Sequence, residues 1–194
     1  MIIWINGAFG SGKTQTAYEL VRRLPGAFLY DPENVGYWLR QNEPVNMQKD
    51  NFQDEPLWRS INREMLKTLA EGYAGVIVVP MTLTEKEYYH EIIDWLREAG
   101  VEVIHVLLLP SAEVTRKRLR KRLEFRNSWA VRQLPHCLEV FQDPVFENKI
   151  CTDQCTVSEA AELAAQIAGV RLLPTQGKMR QFFSRLAVQF RAMR

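Results

Sequence analysis

The stretch GAFGSGKT, Gly7–Thr14, restricts the possible folds of this chain more than any other feature. Its glycines, lysine and threonine match the spacing G-x-x-x-x-G-K-[ST] of a phosphate-binding P-loop. About one random chain of this length in a hundred would contain the pattern by chance. An ordinary glycine turn is the alternative interpretation.

The residues on either side of this stretch supply the setting that a P-loop requires. Met1–Ile5 is typical of a buried parallel strand, and an apolar stripe typical of a helix follows the loop at Ala17, Leu20, Val21 and Leu24. Strand, loop and helix in this order predict backbone N–H groups that point into one concavity and bind an anion.

Two polar residues of the loop have separate expected roles. The Lys13 ammonium would reach the β- and γ-phosphates of ATP and stabilise charge during catalysis, and the Thr14 hydroxyl would ligate Mg²⁺. The residues expected to bind the nucleotide within the loop are Gly7, Ala8, Phe9, Gly10, Ser11, Gly12, Lys13 and Thr14.

Length and charge indicate one domain with a distinct tail. The 194 residues, 46% of them hydrophobic, are enough for one well-buried α/β domain, predicted here over 1–176. The net charge is +2, which argues against a dedicated nucleic-acid binder, so no nucleic-acid partner is expected. The segment 177–194 has five cations and no acid.

Cysteine usage and hydropathy predict a cytoplasmic protein. The three cysteines, Cys137, Cys151 and Cys155, lack the spacing of zinc ligands and are expected to be reduced thiols. No signal peptide is expected before the first strand. No run approaches the roughly 20 apolar residues of a membrane-spanning helix.

Strands and helices alternate along the rest of the chain. Further strands are predicted at Ala27–Tyr30, Gly75–Val79, Val101–Leu109 and Lys149–Thr152. Helices are predicted over Asp54–Ala70, from a capping box at Thr84 to about Glu98, from Ser111 to about Phe125, and over Ser158–Ala168. This order predicts a P-loop kinase-like α/β fold, a doubly wound parallel five-stranded sheet with helices on both faces, which binds ligands at the carboxyl ends of its strands.

Asp31 stands at such an end, after the second predicted strand. It can cap the next helix, with Pro32 at the first helical position and Glu33 in the first turn. It can also act as a general base toward a substrate hydroxyl or as a partner of Mg²⁺, and the two interpretations are compatible. The third strand ends in Pro80 and Met81, so a carboxylate beside the magnesium must come from Asp31 or Glu33.

A basic segment is predicted to form a lid over the nucleotide. Arg118, Arg122 and Arg126 follow an i, i+4, i+8 spacing, so they share one helical face. We expect Arg118 and Arg122 to stabilise charge in catalysis and Arg126 to bind the nucleotide; Arg132 is a further candidate. The alternatives are a solvated basic face or a nucleic-acid patch.

Aromatic and amide side chains between Asp31 and Trp58 suit a planar or sugar-bearing substrate. For any single aromatic among them, a place in the core is the better interpretation. The substrate-binding candidates are Asp31, Tyr37, Arg40, Phe52 and Trp58.

Four stretches, MIIWINGAFGSGKTQTAYEL, YDPENVGYWLRQN, FQDEPLWR and GVIVVPMT, resemble the ATP-binding tunicamycin-resistance protein family (TmrB-like). The resemblance implies ATP binding through Gly7–Thr14, protection against the nucleoside antibiotic tunicamycin, and peripheral membrane attachment through a C-terminal amphipathic helix. The fold also resembles small P-loop kinases, including antibiotic phosphotransferases.

These observations together predict that the chain binds ATP·Mg²⁺ and a nucleoside-like small molecule, with phosphoryl transfer to a hydroxyl as the expected chemistry. One alternative is a non-catalytic protein that sequesters the antibiotic at the membrane, with ATP as a conformational ligand. Another is a regulatory or nucleic-acid-associated NTPase.

The tail, 177–194, is expected to contact the inner face of the cell membrane peripherally. On a helix its apolar residues would share one face and its cations would flank or oppose them. Packing of this helix on the sheet or on a partner is the alternative. The apolar set is Met179, Phe182, Phe183, Leu186, Phe190 and Met193.

Overall fold

A computed structural model describes residues 1–121 and 129–175, which form a five-stranded sheet covered by helices. All strand pairs are parallel and the order is β2-β3-β1-β4-β5. The predicted sheet is therefore confirmed. The strands are β1 (Ile2–Asn6), β2 (Phe28–Leu29), β3 (Ile77–Pro80), β4 (Val103–Leu108) and β5 (Lys149–Ile150).

Helices connect the strands and cover both faces of the sheet. The segments Lys86–Tyr89, a π-helical turn His90–Asp94 and Trp95–Glu98 form one continuous helix, and a short 3₁₀ helix spans Phe52–Asp54. The α-helical segments are α1 (Lys13–Arg23), α2 (Glu33–Asn42), α3 (Pro56–Gly72), α4 (Lys86–Tyr89), α5 (Trp95–Glu98), α6 (Ala112–Lys121), α7 (Trp129–Val140) and α8 (Val157–Ile167).

Strand β1 lies at the centre of the sheet and is buried on both faces. Ile3 and Ile5 pack against α1 and α8 on one face, whereas Ile2 and Trp4 pack against α3, α5 and α7 on the other. Because successive side chains of a strand alternate between faces, Ile2–Ile5 contribute in turn to the two cores. The loop that follows β1 therefore leaves the sheet at the middle of its carboxyl edge.

The capping box predicted at Thr84 is wrong. The backbone is still extended at Glu85, so α4 begins at Lys86 and has no side-chain cap. A complete capping box instead opens α8, where the Thr156 hydroxyl accepts from Glu159 N and the Glu159 carboxylate accepts from Thr156 N. A box needs its threonine at the last non-helical position, which Thr156 occupies and Thr84 does not.

Some of the predictions concern residues outside those that the structure describes. These are the lid arginines Arg122 and Arg126 and the amphipathic tail, 177–194. Within the described ranges, none of the helices combines the length and apolar character needed to cross a membrane.

Candidate functional site

The P-loop joins β1 to α1 and has a backbone that requires glycine. Gly7, Gly10 and Gly12 have φ angles of 148°, 81° and 103°, a region that other residues rarely adopt. A Cβ on Gly7 would lie 2.5 Å from Ser11 Oγ and 2.7 Å from Leu108 O. The loop is therefore tight, and it ends at the N-terminus of a helix, where anions bind readily.

Asn6 fixes the start of this loop. Its Oδ1 accepts from Gly7 N at 2.7 Å and from Leu83 N at 2.9 Å, and its Nδ2 donates to Leu83 O at 3.0 Å. Because Oδ1 accepts two N–H groups, Nδ2 is also the donor to His105 Nε2, 3.1 Å away. One fully buried amide therefore joins the P-loop to the end of β3 and to β4.

His105 should make the fold sensitive to acid. Burial lowers the pKa of its imidazole to about 3 from an ordinary 6.5. Between about pH 6.5 and pH 3 this imidazole is protonated in the unfolded chain and neutral in the folded chain. The free energy of unfolding therefore falls by about 1.4 kcal/mol for each unit by which the pH is lowered in this window. Replacing His105 with Gln should flatten the pH dependence of the unfolding free energy over this window, measured by urea titration. Equal pH slopes for the two proteins would contradict this assignment.

Lys13 and Asp31 approach the same region from different strands. Lys13 is 7% exposed in the first turn of α1, and its Nζ lies 4.8 Å from the centroid of the Phe9 ring. Asp31 follows β2, and its Oδ1 accepts at 3.0 Å from the N–H of Glu33, the first residue of α2. Asp31 thus bonds the start of the helix, but the N-cap position is held by Pro32, one residue later than predicted. Burial raises the pKa of the Asp31 carboxyl and the Glu33 charge adds to the rise, while the Glu33 N–H and the Lys13 ammonium oppose it. The carboxylate thus lies within the electrostatic reach of Lys13.

One pocket, here called the α8 pocket, opens beside the P-loop and has a volume of about 300 Å³. Arg118 of α6 forms part of its wall, donating to Ser11 O at 3.1 Å and to Thr152 O at 2.7 Å. Of the predicted lid arginines, Arg118 is thus bonded to the P-loop itself, whereas Arg132 is exposed on α7 and lines neither pocket. The wall also includes Gly10, Gly12, Thr16, Cys155, Val157 and Ala160.

A second pocket of about 300 Å³, the α2 pocket, opens on the other side of the loop at Phe9. It brings together three of the predicted substrate residues, Tyr37, Arg40 and Phe52. The Arg40 guanidinium carbon lies 5.7 Å from the centroid of the Phe52 ring. The rest of the wall is Glu33, Asp50, Asn51, Gln53, Met81 and Thr82.

Trp58, the remaining aromatic candidate, does not line this pocket. Its side chain is 0% exposed, its ring lies 5.5 Å from that of Phe52, and its Nε1 donates to Pro32 O at 3.0 Å. The prediction that Trp58 contacts substrate is therefore corrected: it supports Phe52 from the core. Gly36 of α2 faces Phe52 as well, and a Cβ there would lie 2.6 Å from the ring. The wall at Phe52 thus depends on both residues.

Thr82, a wall residue of the α2 pocket that the sequence did not single out, is bonded to the P-loop and in turn to Gln53. Thr82 Oγ1 donates to Gly7 O at 2.8 Å, and Gln53 Nε2 donates to Thr82 O at 2.8 Å. Thr82 follows β3 closely, so the tendency of ligands to gather at strand carboxyl ends was the available signal. Thr152, in the wall of the α8 pocket, likewise follows the carboxyl end of a strand, β5.

The described residues fit a magnesium ion held mainly by a nucleotide. They contain no group of three His, Cys, Asp or Glu side chains that could hold a metal by themselves. Thr14 lies in the first turn of α1, next to Lys13. In the same loop the Ser11 hydroxyl is buried without a hydrogen-bond partner among these residues. Mg²⁺ in phosphate sites usually takes few protein ligands and keeps phosphate and water oxygens.

A protein-family model described as "AAA domain" matches residues 2–144. The chain belongs to the AAA domain family. The match covers β1, the P-loop, α2, β3, α6 and α7, and α8 lies outside it. A comparison with curated protein sequences found no match.

Solved structures resemble this AAA domain over nearly its whole length. The Deinococcus radiodurans tunicamycin resistance protein has a TM-score of 0.77 and 29% identity, covering 90% of this chain and 99% of that one. A sugar kinase from Janibacter sp. HTCC2649 has a TM-score of 0.59 and 21% identity, covering 87% and 94%. These likenesses confirm the resemblance to tunicamycin-resistance proteins and the P-loop kinase-like fold.

A third structure is more distant. Mycobacterium tuberculosis APS kinase, in complex with AMPPNP and APS, has a TM-score of 0.57 and 17% identity, covering 87% of this chain and 96% of that one. At such identity the likeness extends to the fold alone, as it does for the sugar kinase.

Proposed function

We propose that this AAA domain binds ATP·Mg²⁺, transfers the γ-phosphoryl group to a hydroxyl of a nucleoside-like small molecule, and thereby confers resistance to an antibiotic of the tunicamycin type. The observation that carries the proposal is the arrangement of two pockets of equal volume on opposite sides of one P-loop. Such an arrangement would allow a donor and an acceptor to meet at the P-loop, whose residues line both pockets.

The α8 pocket suits the nucleoside half of ATP. Its wall combines the planar guanidinium of Arg118 with small apolar surfaces at Val157 and Ala160. A guanidinium stacks on a flat ring, and apolar surface excludes water from it. The P-loop would then hold the phosphates, with the Lys13 ammonium near the γ-phosphate.

The α2 pocket suits the acceptor. Tyr37 and Phe52 are an edge-to-face aromatic pair with centroids 6.5 Å apart, and Arg40 supplies hydrogen-bond donors beside them. Aromatic surface with a few polar groups is typical of sites for planar or sugar-bearing ligands. The likeness to a tunicamycin resistance protein supports a nucleoside-like acceptor.

In the proposed reaction the acceptor hydroxyl oxygen attacks the γ-phosphorus, the bond to the bridging oxygen breaks, and ADP leaves. Asp31 accepts the hydroxyl proton, for which its raised pKa makes it a stronger base than an exposed aspartate. Lys13 stabilises negative charge on the transferred group. When bound, Mg²⁺ would neutralise phosphate charge, with the Thr14 hydroxyl as its ligand from the protein.

Calorimetric titrations with AMPPNP and then tunicamycin test whether the two ligands bind together. The proposal expects tunicamycin to bind the AMPPNP-saturated protein, and expects Arg40→Ala to weaken tunicamycin binding while AMPPNP binding is kept. Lys67→Ala, which removes a cation of α3 outside both pockets, is the matched control. Competition between tunicamycin and AMPPNP for one site would contradict the proposal.

We propose in addition that 177–194 binds an anionic membrane surface. Each of its five cations would contribute about 1 kcal/mol near such a surface. The full chain should pellet with liposomes that contain phosphatidylserine and be released by high salt, whereas a chain that ends at Gln176 should stay in the supernatant with ATP binding retained. Equal pelleting of the two chains would show that the tail is not the membrane contact.

A further inference from the structure

The segment CTDQC, 151–155, connects β5 to α8 and is bonded to two parts of the nucleotide site. Thr152 accepts from Arg118 through its carbonyl at 2.7 Å and its hydroxyl at 3.3 Å, and Arg118 in turn donates to Ser11 O of the P-loop. The Asp153 carboxylate accepts from Ser111 N at 2.6 Å, immediately before α6. A change in this CTDQC loop would therefore reach both α6 and the P-loop.

Cysteines stand at both ends of the CTDQC loop. Cys155 lines the α8 pocket, and Cys151 is exposed. Cys155 Sγ donates to the Cys151 carbonyl oxygen at 3.4 Å, so the loop already brings one sulfur to the main chain of the other cysteine. A disulfide requires Cα atoms roughly 4.4–6.8 Å apart, and Cys151 and Cys155 are separated by only four positions in the sequence.

The third cysteine is shielded from such chemistry. Cys137 of α7 is 2% exposed, and burial raises the pKa of its thiol to about 11. Because the thiolate is the reactive form, Cys137 stays a thiol under conditions that oxidise accessible cysteines. Any oxidation would therefore be confined to the two cysteines of the CTDQC loop.

We propose that Cys151 and Cys155 form a reversible disulfide that closes the α8 pocket to nucleotide. The inference rests on the proposed function, because it requires ATP to occupy that pocket. A hydroperoxide oxidises one thiol to a sulfenic acid and leaves as an alcohol; the second thiol attacks that sulfur and water leaves. The two thiols thus lose two protons and two electrons, and exchange with a reduced dithiol reverses the step.

The disulfide acts on nucleotide binding through the pocket wall. A bond between Cys151 and Cys155 changes the pocket wall at Cys155 and disturbs Thr152, which lies between the two cysteines. Arg118 then loses carbonyl and hydroxyl acceptors that now hold its guanidinium in the pocket. Losing hydrogen bonds to a charged group weakens binding by about tenfold or more.

Oxidation of the full chain with diamide, which takes two hydrogens from a dithiol and leaves no oxygen on sulfur, tests the proposal. Peptide mapping should show a Cys151–Cys155 disulfide with Cys137 unmodified. The dissociation constant of AMPPNP, measured by calorimetry, should rise by about tenfold or more and return after treatment with dithiothreitol.

The matched variant is Cys151→Ser, because Cys151 is exposed and outside the pocket wall. It should bind AMPPNP equally well before and after diamide. A mapped disulfide with unchanged AMPPNP affinity, or no disulfide between these residues, overturns the switch and leaves the proposed function standing. An untreated chain that does not bind AMPPNP overturns both.

Alkylation gives a second, independent measurement on the untreated chain. AMPPNP at 100 times its dissociation constant should slow the reaction of Cys155 with iodoacetamide by about 100-fold, because only the free protein exposes this thiol. Cys151 should react at nearly the same rate with and without the nucleotide. Unprotected Cys155 would show that nucleotide does not occupy the α8 pocket beside it, and the proposal would then fail.

Discussion

Replacing Lys13 with alanine is expected to abolish stabilisation by ATP. The wild-type chain should gain about 2.7 kcal/mol of unfolding free energy when ATP·Mg²⁺ is present at 100 times its dissociation constant. The Lys13 side chain lies in the first turn of α1 beside Phe9, where it can meet the phosphates that the loop would hold. Without it, two or three negative phosphate charges lose their nearest cation.

Thermal unfolding with and without ATP·Mg²⁺ measures this effect. Lys13→Ala should unfold near the wild-type midpoint in the absence of ligand and show no increase in its presence. Lys67→Ala, outside the P-loop, should keep the full increase. If ATP·Mg²⁺ raised the unfolding midpoint of Lys13→Ala as much as that of the wild type, the P-loop would not be the nucleotide site.

Replacing Asp31 with asparagine is expected to lower the rate of phosphoryl transfer by roughly 10²–10⁴-fold, because the amide cannot accept a proton. The change in stability should be small, since asparagine caps helices about as well as aspartate and can keep the hydrogen bond to Glu33 N. The comparison of kcat with the urea unfolding midpoint separates the two roles. If the variant lost stability but kept full activity, the role of Asp31 would be limited to its hydrogen bond at the start of α2.

Magnesium titration distinguishes a base from a metal partner at Asp31. If Asp31 assists Mg²⁺, the asparagine variant should recover activity at high magnesium; if it is the base, added magnesium should not restore the rate. Glu33→Gln is the matched comparison, because Glu33 is the other predicted partner of the magnesium and lines the α2 pocket. A larger loss in this variant than in Asp31→Asn would move the role to Glu33.

The sheet and the P-loop could be predicted because their signals are local. Apolar runs indicated the strands, and the alternation of strands and helices predicted the parallel topology. The Gly7–Thr14 spacing, with its flanking residues, predicted a P-loop between the first strand and the first helix. Each of these inferences used residues close together in the sequence.

Helix α7 was not predicted, and the reason is its proline. Pro135 lies inside Trp129–Val140, where proline removes a backbone donor and usually ends a helix. The buried positions Leu134, Cys137 and Phe141 at spacings of three and four were the opposing signal. Tertiary burial of this face outweighs the local cost of the proline.

The walls of the two pockets could be predicted only in part, because they depend on contacts between distant residues. Thr82 and Gly7 are separated by 75 positions, and Arg118 and Ser11 by 107. Periodicity places a residue on a face but does not say which distant side chain it meets. The same limit explains Trp58, whose aromatic character suited a substrate site but whose ring lies in the core.

The most direct measurement is mass spectrometry of tunicamycin after incubation with the full chain and ATP·Mg²⁺. Phosphoryl transfer predicts a product that carries one added phosphate, formed in equal amount to ADP, and absent with Lys13→Ala. Tunicamycin recovered unmodified, although it binds the AMPPNP-saturated protein, would contradict transfer and indicate a protein that only sequesters the antibiotic.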